Sequence, residues 1–510
     1  MKPGSDKRTD RESLLQFDQN TCLCAGAGSG KTSTLVKMYC ALISGESSFK
    51  APVALERIVA ITFTEKAASE MKKRVRETTE LRLKDAEDQA FWKEHLRKLE
   101  WAPIKTIHSF CAGIVREYPV ETGVDPAFTV LDEYEAAEQL EKIVHDVVMK
   151  GLFEKDPVVK GLVYSYGFSR SQYVDGLKEF LQRLCRQVYS SGLGWQQINQ
   201  MAEENHKKAE ECLSIAVHEL QEDCNTLGDI LSTGEIKPSL KSYATLEALV
   251  QHFRTINDRW SGSTLLEKGG ALVALRPFIK GRWPNAVSTL KKNLEKHLGE
   301  LEEAYYQLLS RKQLDGLQHL LEQVTCRYEN WKVQHGVLDF DDLQIKTRNV
   351  LRYNRSIRRK LKDRYTVIMI DEFQDTNQVQ KEIVYYLSED SRCESSASDN
   401  SVIRLHPRKL YVVGDPKQSI YCFRGADVTV FLEMQKELER EGIDGKNFSL
   451  CENFRSHKGL IAFFNLFFNS IKRDGKEHYE INFKEDDYQD YHREIADTGP
   501  CVELITMGTA

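Results

Sequence analysis

The stretch TCLCAGAGSGKTSTLVKMYCALI, residues 21–43, reads as a short strand, a glycine-rich turn and a helix in succession. Thr21 to Cys24 is β-compatible, and Thr34 to Ile43 carries a helical pattern. Between them Gly26, Gly28 and Gly30 carry no Cβ, so the backbone is free to take positive φ and approach a ligand closely. Successive N–H groups then converge on phosphate oxygens, and the helix that follows adds its positive end. Ala25, Gly26, Ala27, Gly28, Ser29, Gly30, Lys31 and Thr32 are the candidate phosphate-binding residues. Lys31 has the reach for the β- and γ-phosphates, and Thr32 offers a hydroxyl to magnesium. Ala25 stands where the general pattern has glycine, a mild departure because the side chain is small.

A second stretch, TVIMIDEFQDT (366–376), supplies the opposite chemistry. Val367 to Ile370 is a buried-strand pattern, and Asp371 and Glu372 follow at its carboxyl end, the ligand edge of an open α/β sheet. Asp371 is the candidate magnesium holder and Glu372 the candidate group that polarises the attacking water, with Gln374 and Asp375 close behind. Cradle and acids together imply hydrolysis of a nucleoside triphosphate, with ATP and Mg²⁺ as the expected ligands.

Strand and helix signals alternate over residues 1–112 and again over 338–427, and both segments hold nucleotide motifs. This predicts an α/β fold with one doubly wound parallel sheet assembled from both. Residues 113–337 read as a large helical insertion. Leu140, Ile143, Val144, Val147 and Val148 form one stripe, and Leu294, Leu298, Leu301, Leu308 and Leu309 another. SRCESSASDNS (391–401) predicts a loop, and from about 428 a second α/β domain is expected to begin.

Six blocks, ITFTEKAASEMKKRV (61–75), TIHSFC (106–111), LDFDDL (338–343), IDEFQDTNQVQ (370–380), VVGDPKQSIYCFRGAD (412–427) and CENFRS (451–456), join the cradle in a fixed order. In this order they resemble the UvrD/Rep-type superfamily 1 DNA helicases, closest to the RecB/AddA branch. The resemblance implies a RecA-like P-loop NTPase sheet in 1–112 plus 338–427 (first motor domain), the helical insertion in 113–337, and a partial second RecA-like motor domain in 428–510. It implies ATP-driven movement on single-stranded DNA, typically 3′ to 5′, and recombination or double-strand-break repair as the setting. A helicase–nuclease partner subunit is a further expectation.

By the same resemblance, Gln418 senses the γ-phosphate and the attacking water, Arg455 contacts the γ-phosphate, and Phe454 stacks on adenine. A guanidinium suits that contact because it stays charged and forks onto phosphate oxygens. Arg11, twenty residues before Lys31, is either an adenine-pocket residue or a surface arginine. Single strands are gripped by stacking and phosphate contacts. Phe63, His108, Phe110, Tyr421, Phe423 and Arg424 are the candidates, with Thr62, Thr64 and Thr106 for the sugar–phosphate backbone. Each aromatic could instead be core. Of these Phe63, His108 and Phe423 are favoured, and Tyr421 is as readily a packing residue. The family's two further downstream motifs, one bearing a second arginine, are not found in residues 481–510. A fragment, a split gene product and a degenerate relative all stay open, the strand-like CVELIT (501–506) favouring a fragment.

The 510 residues are 41% apolar and 29% charged, enough for two or more domains. A net charge of −6 means that bulk charge does not attract DNA, and any affinity must be local. KTRNVLRYNRSIRRKLKDR (346–364) holds nine Lys or Arg against one Asp and is either a DNA-backbone track or a solvated helix face. The twelve cysteines form no CxxC pair, and Cys22 and Cys24 read as buried thiols on one strand face. MKPGSDKRTD (1–10) has no signal-like core, and LIAFFNLFFNSI (460–471) is too short for a membrane and reads as a buried helix. A reducing, cytoplasmic setting is expected. Competing readings are an ATP- and DNA-binding module without productive hydrolysis and a small-molecule kinase.

Overall fold

The computed structural model describes residues 13–502 apart from 50, 86–87, 170–174, 241, 259–262, 281–282, 393–402, 423–424, 441–444, 472–486 and 494–501. Arg11, Phe423, Arg424 and most of the serine-rich loop and the CVELIT segment lie outside the described residues. The chain divides into two compact units. One comprises Met1–Glu138, Arg186–Gly192 and Asn330–Ala510, and the other Gln139–Cys185 and Leu193–Glu329.

The first unit is built on a six-stranded sheet. Its strands are β1 (Asn20–Ala25), β2 (Ile58–Thr62), β3 (Ile104–Thr106), β6 (Val367–Ile370), β7 (Leu410–Gly414) and β8 (Gly445–Leu450); the short strands β4 (Thr129–Val130) and β5 (Val337–Leu338) pair with each other. The order is β3-β2-β6-β7-β1-β8 and every pairing is parallel. Parallel strands are covered on both faces, which is why β2, β6 and β7 read as continuous apolar runs. The pleat divides each run between two cores. Cys22, Val59, Ile61, Ile368, Ile370 and Val412 face one, while Leu23, Ala60, Met369, Tyr411 and Val413 face the other. Five of the six strands of this doubly wound sheet come from the two expected segments, 1–112 and 338–427, and β8 lies beyond both.

Beyond residue 427 the chain stays with this sheet further than its motif pattern suggests. The helix Val428–Leu438 sends Val430, Phe431, Met434 and Leu438 into the first core, and β8 pairs with β1 from Asn20↔Gly445 to Ala25↔Leu450. Strand β9 (Glu452–His457) then leaves to pair with β10 (Asp490–Arg493).

The second unit is helical. Trp195–Ser232, Tyr243–Asp258, Leu265–Val273 and Ser288–Leu309 pack around Leu213, Leu220, Leu249, Phe253, Leu294, Leu298 and Leu301. Both expected stripes form, except that Leu309 is exposed at the helix end. Another expectation fails. The helix Lys458–Ser470 buries only Ile461, and Phe463, Phe464, Leu466, Phe467 and Phe468 are exposed. A mean apolar content suited to burial says nothing of whether a partner face lies alongside, and this helix packs chiefly against β9 and β10. No helix of the described residues is long and apolar enough to cross a membrane.

Candidate active site

The cradle leaves the carboxyl end of β1 and turns through Gly28 (φ 79°) and Gly30 (φ 85°), both left-handed. Ser29 donates from its N–H and hydroxyl to the Gly26 carbonyl, at 3.2 and 2.7 Å. Gly30 opens the helix Lys31–Ser44, its carbonyl accepting from the Thr34 N–H at 2.9 Å. The space around the turn is closed to side chains. A Cβ on Gly28 would meet the Arg455 Cβ at 2.8 Å, and one on Gly26 would strike the Gln489 amide. At Gly28 glycine is therefore required by conformation and by close approach at once.

Lys31 emerges from the first turn of that helix, half-buried, and its Nζ donates to Glu372 Oε2 at 2.8 Å. Residues 341 positions apart thus meet over the ends of β1 and β6. Glu372 sits at φ 53°, a left-handed conformation uncommon for a residue with a Cβ. Its N–H donates to Asp371 Oδ1 at 3.0 Å. Burial, then the Glu372 charge, push the Asp371 carboxyl up to about 6 against the pull of Lys31. Burial and Glu372 push Asp375 up to about 6 as well. Acids raised by burial at a strand edge are candidates for a functional site, and their hard oxygen donors suit magnesium.

Gln374, 2% exposed, organises this edge. Its amide N–H donates to Glu372 Oε2 at 2.9 Å and its Oε1 accepts from the Asp415 N–H at 2.9 Å. Asp415, which follows β7, accepts from Gln418 Nε2 at 2.7 Å and faces Lys417 Nζ at 3.5 Å. Gln418 is thereby held by the same strand edge as the acids. Asp415 carries no sequence-assigned role within the GDPKQS block; its position directly after a strand was the signal available.

Strand β9 lies against the cradle. Phe454 N–H donates to the Gly28 carbonyl at 2.9 Å, and Asn453 Nδ2 donates to the Ala27 carbonyl at 2.7 Å. Asn453 Oδ1 accepts from the N–H groups of Arg455 and Ser456 at 2.9 and 2.8 Å. Asn453, nearly buried, thus ties the arginine-bearing strand to the phosphate loop. Nothing in its sequence position set it apart from the phenylalanine and arginine that follow it. Phe454 is half-buried with its ring 4.6 Å from His492, and Arg455 is exposed.

The nucleic-acid candidates separate by burial. Phe63 and Tyr421 are half-buried neighbours with ring centroids 4.8 Å apart. Phe63 lines a cavity with Thr62, Asp371, Glu372, Thr376 and Gln380, so this aromatic adjoins the acids. His108 is half-buried against Phe340 at 4.7 Å. Phe110 must be withdrawn from the list. It is 3% exposed, packs within 5.7 Å of Tyr365, and lies on the inward face of its helix, away from solvent. The threonines are employed locally. The Thr62 hydroxyl donates to the Thr64 carbonyl, Thr64 caps the following helix at Ala67, and the Thr106 hydroxyl donates to Glu65. The basic stretch 346–364 is only partly a solvated face. Arg348, Arg358 and Lys362 are buried, and Glu389 lies 3.3 Å from Arg358 and 3.1 Å from Lys362. Burial pushes the Cys24 thiol up to about 11, in keeping with an inert role.

Three proteins similar to this chain share one description. It is 27% identical to an ATP-dependent helicase/nuclease subunit of Ligilactobacillus salivarius, over 90% of this chain and 38% of that protein. It is 29% identical to the subunit of the same name from Exiguobacterium sibiricum (88% and 38%) and 27% identical to one from Bacillus cereus (95% and 41%). The chain spans about two fifths of the length of these curated relatives. Residues 7–439 match the UvrD/REP helicase N-terminal domain, covering the cradle, the acids and the Asp415 edge, and the chain belongs to that family.

Proposed function

We propose that this chain is the ATP-hydrolysing motor portion of a DNA helicase that moves 3′ to 5′ along single-stranded DNA, in recombination or double-strand-break repair. The observation that carries the reading is the meeting of Lys31 with Glu372 at 2.8 Å beside Asp371. A cationic phosphate ligand, a metal-holding acid and a water-orienting acid come from two remote segments, and only a folded nucleotide site gives them a reason to meet.

The residues fit ATP and Mg²⁺. The loop turns through left-handed Gly28 and Gly30 and leaves no room for a Cβ at Gly28, which supports a backbone cradle for phosphate. Thr32 and Asp371 offer oxygen ligands to the metal, which would screen the phosphate charge. Lys31 exchanges Glu372 for the phosphates on nucleotide binding, and Glu372, so released, orients the attacking water. Gln418 reports on that water from its bond to Asp415. Arg455, anchored through Asn453, contributes charge at the γ-phosphate, and Phe454 covers the adenine. Phe63, Tyr421 and His108 bind the strand, with Thr64 beside them. The shared name of the relatives supports a partner in a helicase–nuclease assembly, and the setting proposed is cytoplasmic.

Phosphate release measured with and without single-stranded oligo(dT) tests the reading. DNA-stimulated turnover that disappears in Lys31→Ala is the expected result. Nucleotide and DNA binding without turnover would favour a binding module, and nucleotide binding indifferent to DNA would overturn the helicase reading.

A further inference from the structure

A hydrogen-bonded chain runs from the strand-binding candidate His108 through Gln344 to Asn377, at the start of the helix that follows the acidic turn. His108 is the second residue of the helix Ile107–Glu117. Its ring lies against Phe340, and one turn further along the helix Phe340–Tyr353 the side chain of Gln344, 3% exposed, reaches the same ring. Gln344 Nε2 donates to His108 Nε2 at 2.8 Å. The Gln344 carbonyl oxygen accepts from Asn377 Nδ2 at 3.4 Å. Asn377 caps the helix Gln378–Ser388, its Oδ1 accepting from the Gln380 N–H at 2.9 Å, and it stands two residues beyond the turn Phe373–Asp375, which itself follows Asp371 and Glu372.

We propose that Gln344 is a positioning residue that couples His108 to the Asp371–Asp375 turn, so that occupancy of the DNA strand and occupancy of the nucleotide site bias each other. The proposal rests on the reading of His108 as a DNA contact. Its chemistry is specific. By donating to Nε2, Gln344 keeps the proton of a neutral imidazole on Nδ1, leaving that N–H as the donor for a phosphate or base. Burial holds the ring neutral, its pKa pushed down to about 4 against the opposing pull of Glu65. The same amide cannot rotate toward a displaced imidazole without releasing Asn377, so movement of the ring reaches the first turn of the helix behind the acids.

The frame around Gln344 is stiff. Asp339 caps its helix, accepting from the Asp342 N–H at 2.9 Å, and Lys332 clamps Asp339 and Asp342 at 3.0 and 2.6 Å. A rigid helix bearing both Phe340 and Gln344 transmits a displacement at one end of the pair to the other.

The test is the mutual effect of two ligands on the full chain. The Kd of a fluorescent Mg²⁺–ATP analogue is measured with and without oligo(dT), and the Kd of oligo(dT) with and without the nucleotide. Reciprocal coupling of roughly 5–150-fold is the usual range for linked sites. Gln344→Met keeps length and burial while losing the hydrogen bonds to His108, Asn377 and the Phe340 carbonyl. The expected result is a coupling factor near one with the separate nucleotide affinity close to wild type, while oligo(dT) binding weakens no more than in His108→Ala and the chain still melts cooperatively. Gln344→Glu retains the acceptor for Asn377 but loses the donor to His108, and it is expected to lose coupling too. His108→Ala weakens oligo(dT) binding, and the double variant His108→Ala/Gln344→Met is no further uncoupled than His108→Ala alone. Full coupling in Gln344→Met, or losses that simply add in the double variant, overturns the proposal while leaving the DNA contact standing. Wild-type oligo(dT) affinity in His108→Ala overturns the contact itself, and the relay with it.

Discussion

Glu372→Gln separates the two duties assigned to one carboxylate. The wild-type group holds Lys31 at 2.8 Å and accepts from Gln374 at 2.9 Å, with side chains 10% (Lys31) and 35% (Glu372) exposed. An ion pair this close to solvent contributes at most about 1 kcal/mol. Nucleotide binding must break it, so removing the competing charge should tighten ATP binding by up to ~5-fold. The amide retains an oxygen for the Gln374 N–H, so the edge keeps its shape. Its loss as a water-orienting base should slow hydrolysis by ~10²–10⁴. A third effect follows from Asp371, whose carboxyl is raised second by the Glu372 charge. In the variant it should ionise at lower pH and bind magnesium in more acidic solution. Fluorescent-nucleotide titration, single-turnover phosphate release and Mg²⁺ titration across pH read the three consequences separately. Weaker nucleotide binding, or hydrolysis at the wild-type rate, would refute the assignment of Glu372.

Other outcomes follow from the same geometry. Gly28→Ala places a Cβ at φ 79° and 2.8 Å from the Arg455 Cβ. Left-handed strain of about 1–2 kcal/mol and two disturbed hydrogen bonds of about 1 kcal/mol each should weaken nucleotide binding by ~10² or more, measured as Kd. Asp371 and Asp375 are raised from the ordinary 3.8 to about 6, so in metal-free protein they favour the fold at low pH and that contribution is lost as pH rises through 6. Mg²⁺–nucleotide affinity should run the other way, falling as pH drops through about 6, because the metal needs the ionised acids. Phe110→Ala should cost about 3–5 kcal/mol of stability by chemical denaturation, as for a core aromatic. Phe63→Ala should leave melting nearly unchanged and lose about 1–3 kcal/mol of oligo(dT) binding, the worth of one stacked base.

The fold was legible where one physical requirement dominates. A glycine turn between strand and helix announces itself because few other functions ask for three glycines in five residues, and four apolar residues ending in two acids mark a buried strand at a ligand edge. Both segments sit where their patterns place them. The order of motifs told the remainder of the sheet, except that β8 and the helix before it belong to the first sheet. Nothing local distinguishes the last strand of one sheet from the first of the next; only pairing with β1 decides it. The helix Lys458–Ser470 shows the same limit. Its phenylalanines state a wish for burial, but burial depends on what folds beside them.

Side-chain roles were hardest to read where identity and role part company. Phe110 and Phe63 are the same residue in neighbouring motifs, yet one is core and the other half-buried beside the acids, a difference set by helix phase against strand end. The basic stretch makes the point with charge. Its +8 invites a DNA track, but Arg358 and Lys362 converge on the buried carboxylate of Glu389, and Lys409 Nζ donates to the Lys362 carbonyl at 2.8 Å. Such cations are the costliest to remove from water and the least available to a phosphate. Any DNA affinity of this stretch would then come from its exposed remainder, and its salt dependence should reflect fewer contacts than nine cations would suggest. Gln344, Asn377, Asp415 and Asn453 carry no charge or motif-defining chemistry that sets them apart in sequence, apart from the lone acid Asp415. What they share is burial at the junction of two elements, where a single amide or carboxylate can serve both neighbours. A site of this kind is therefore written in sequence by the groups that touch ligand, and in space by the polar residues that hold those groups still.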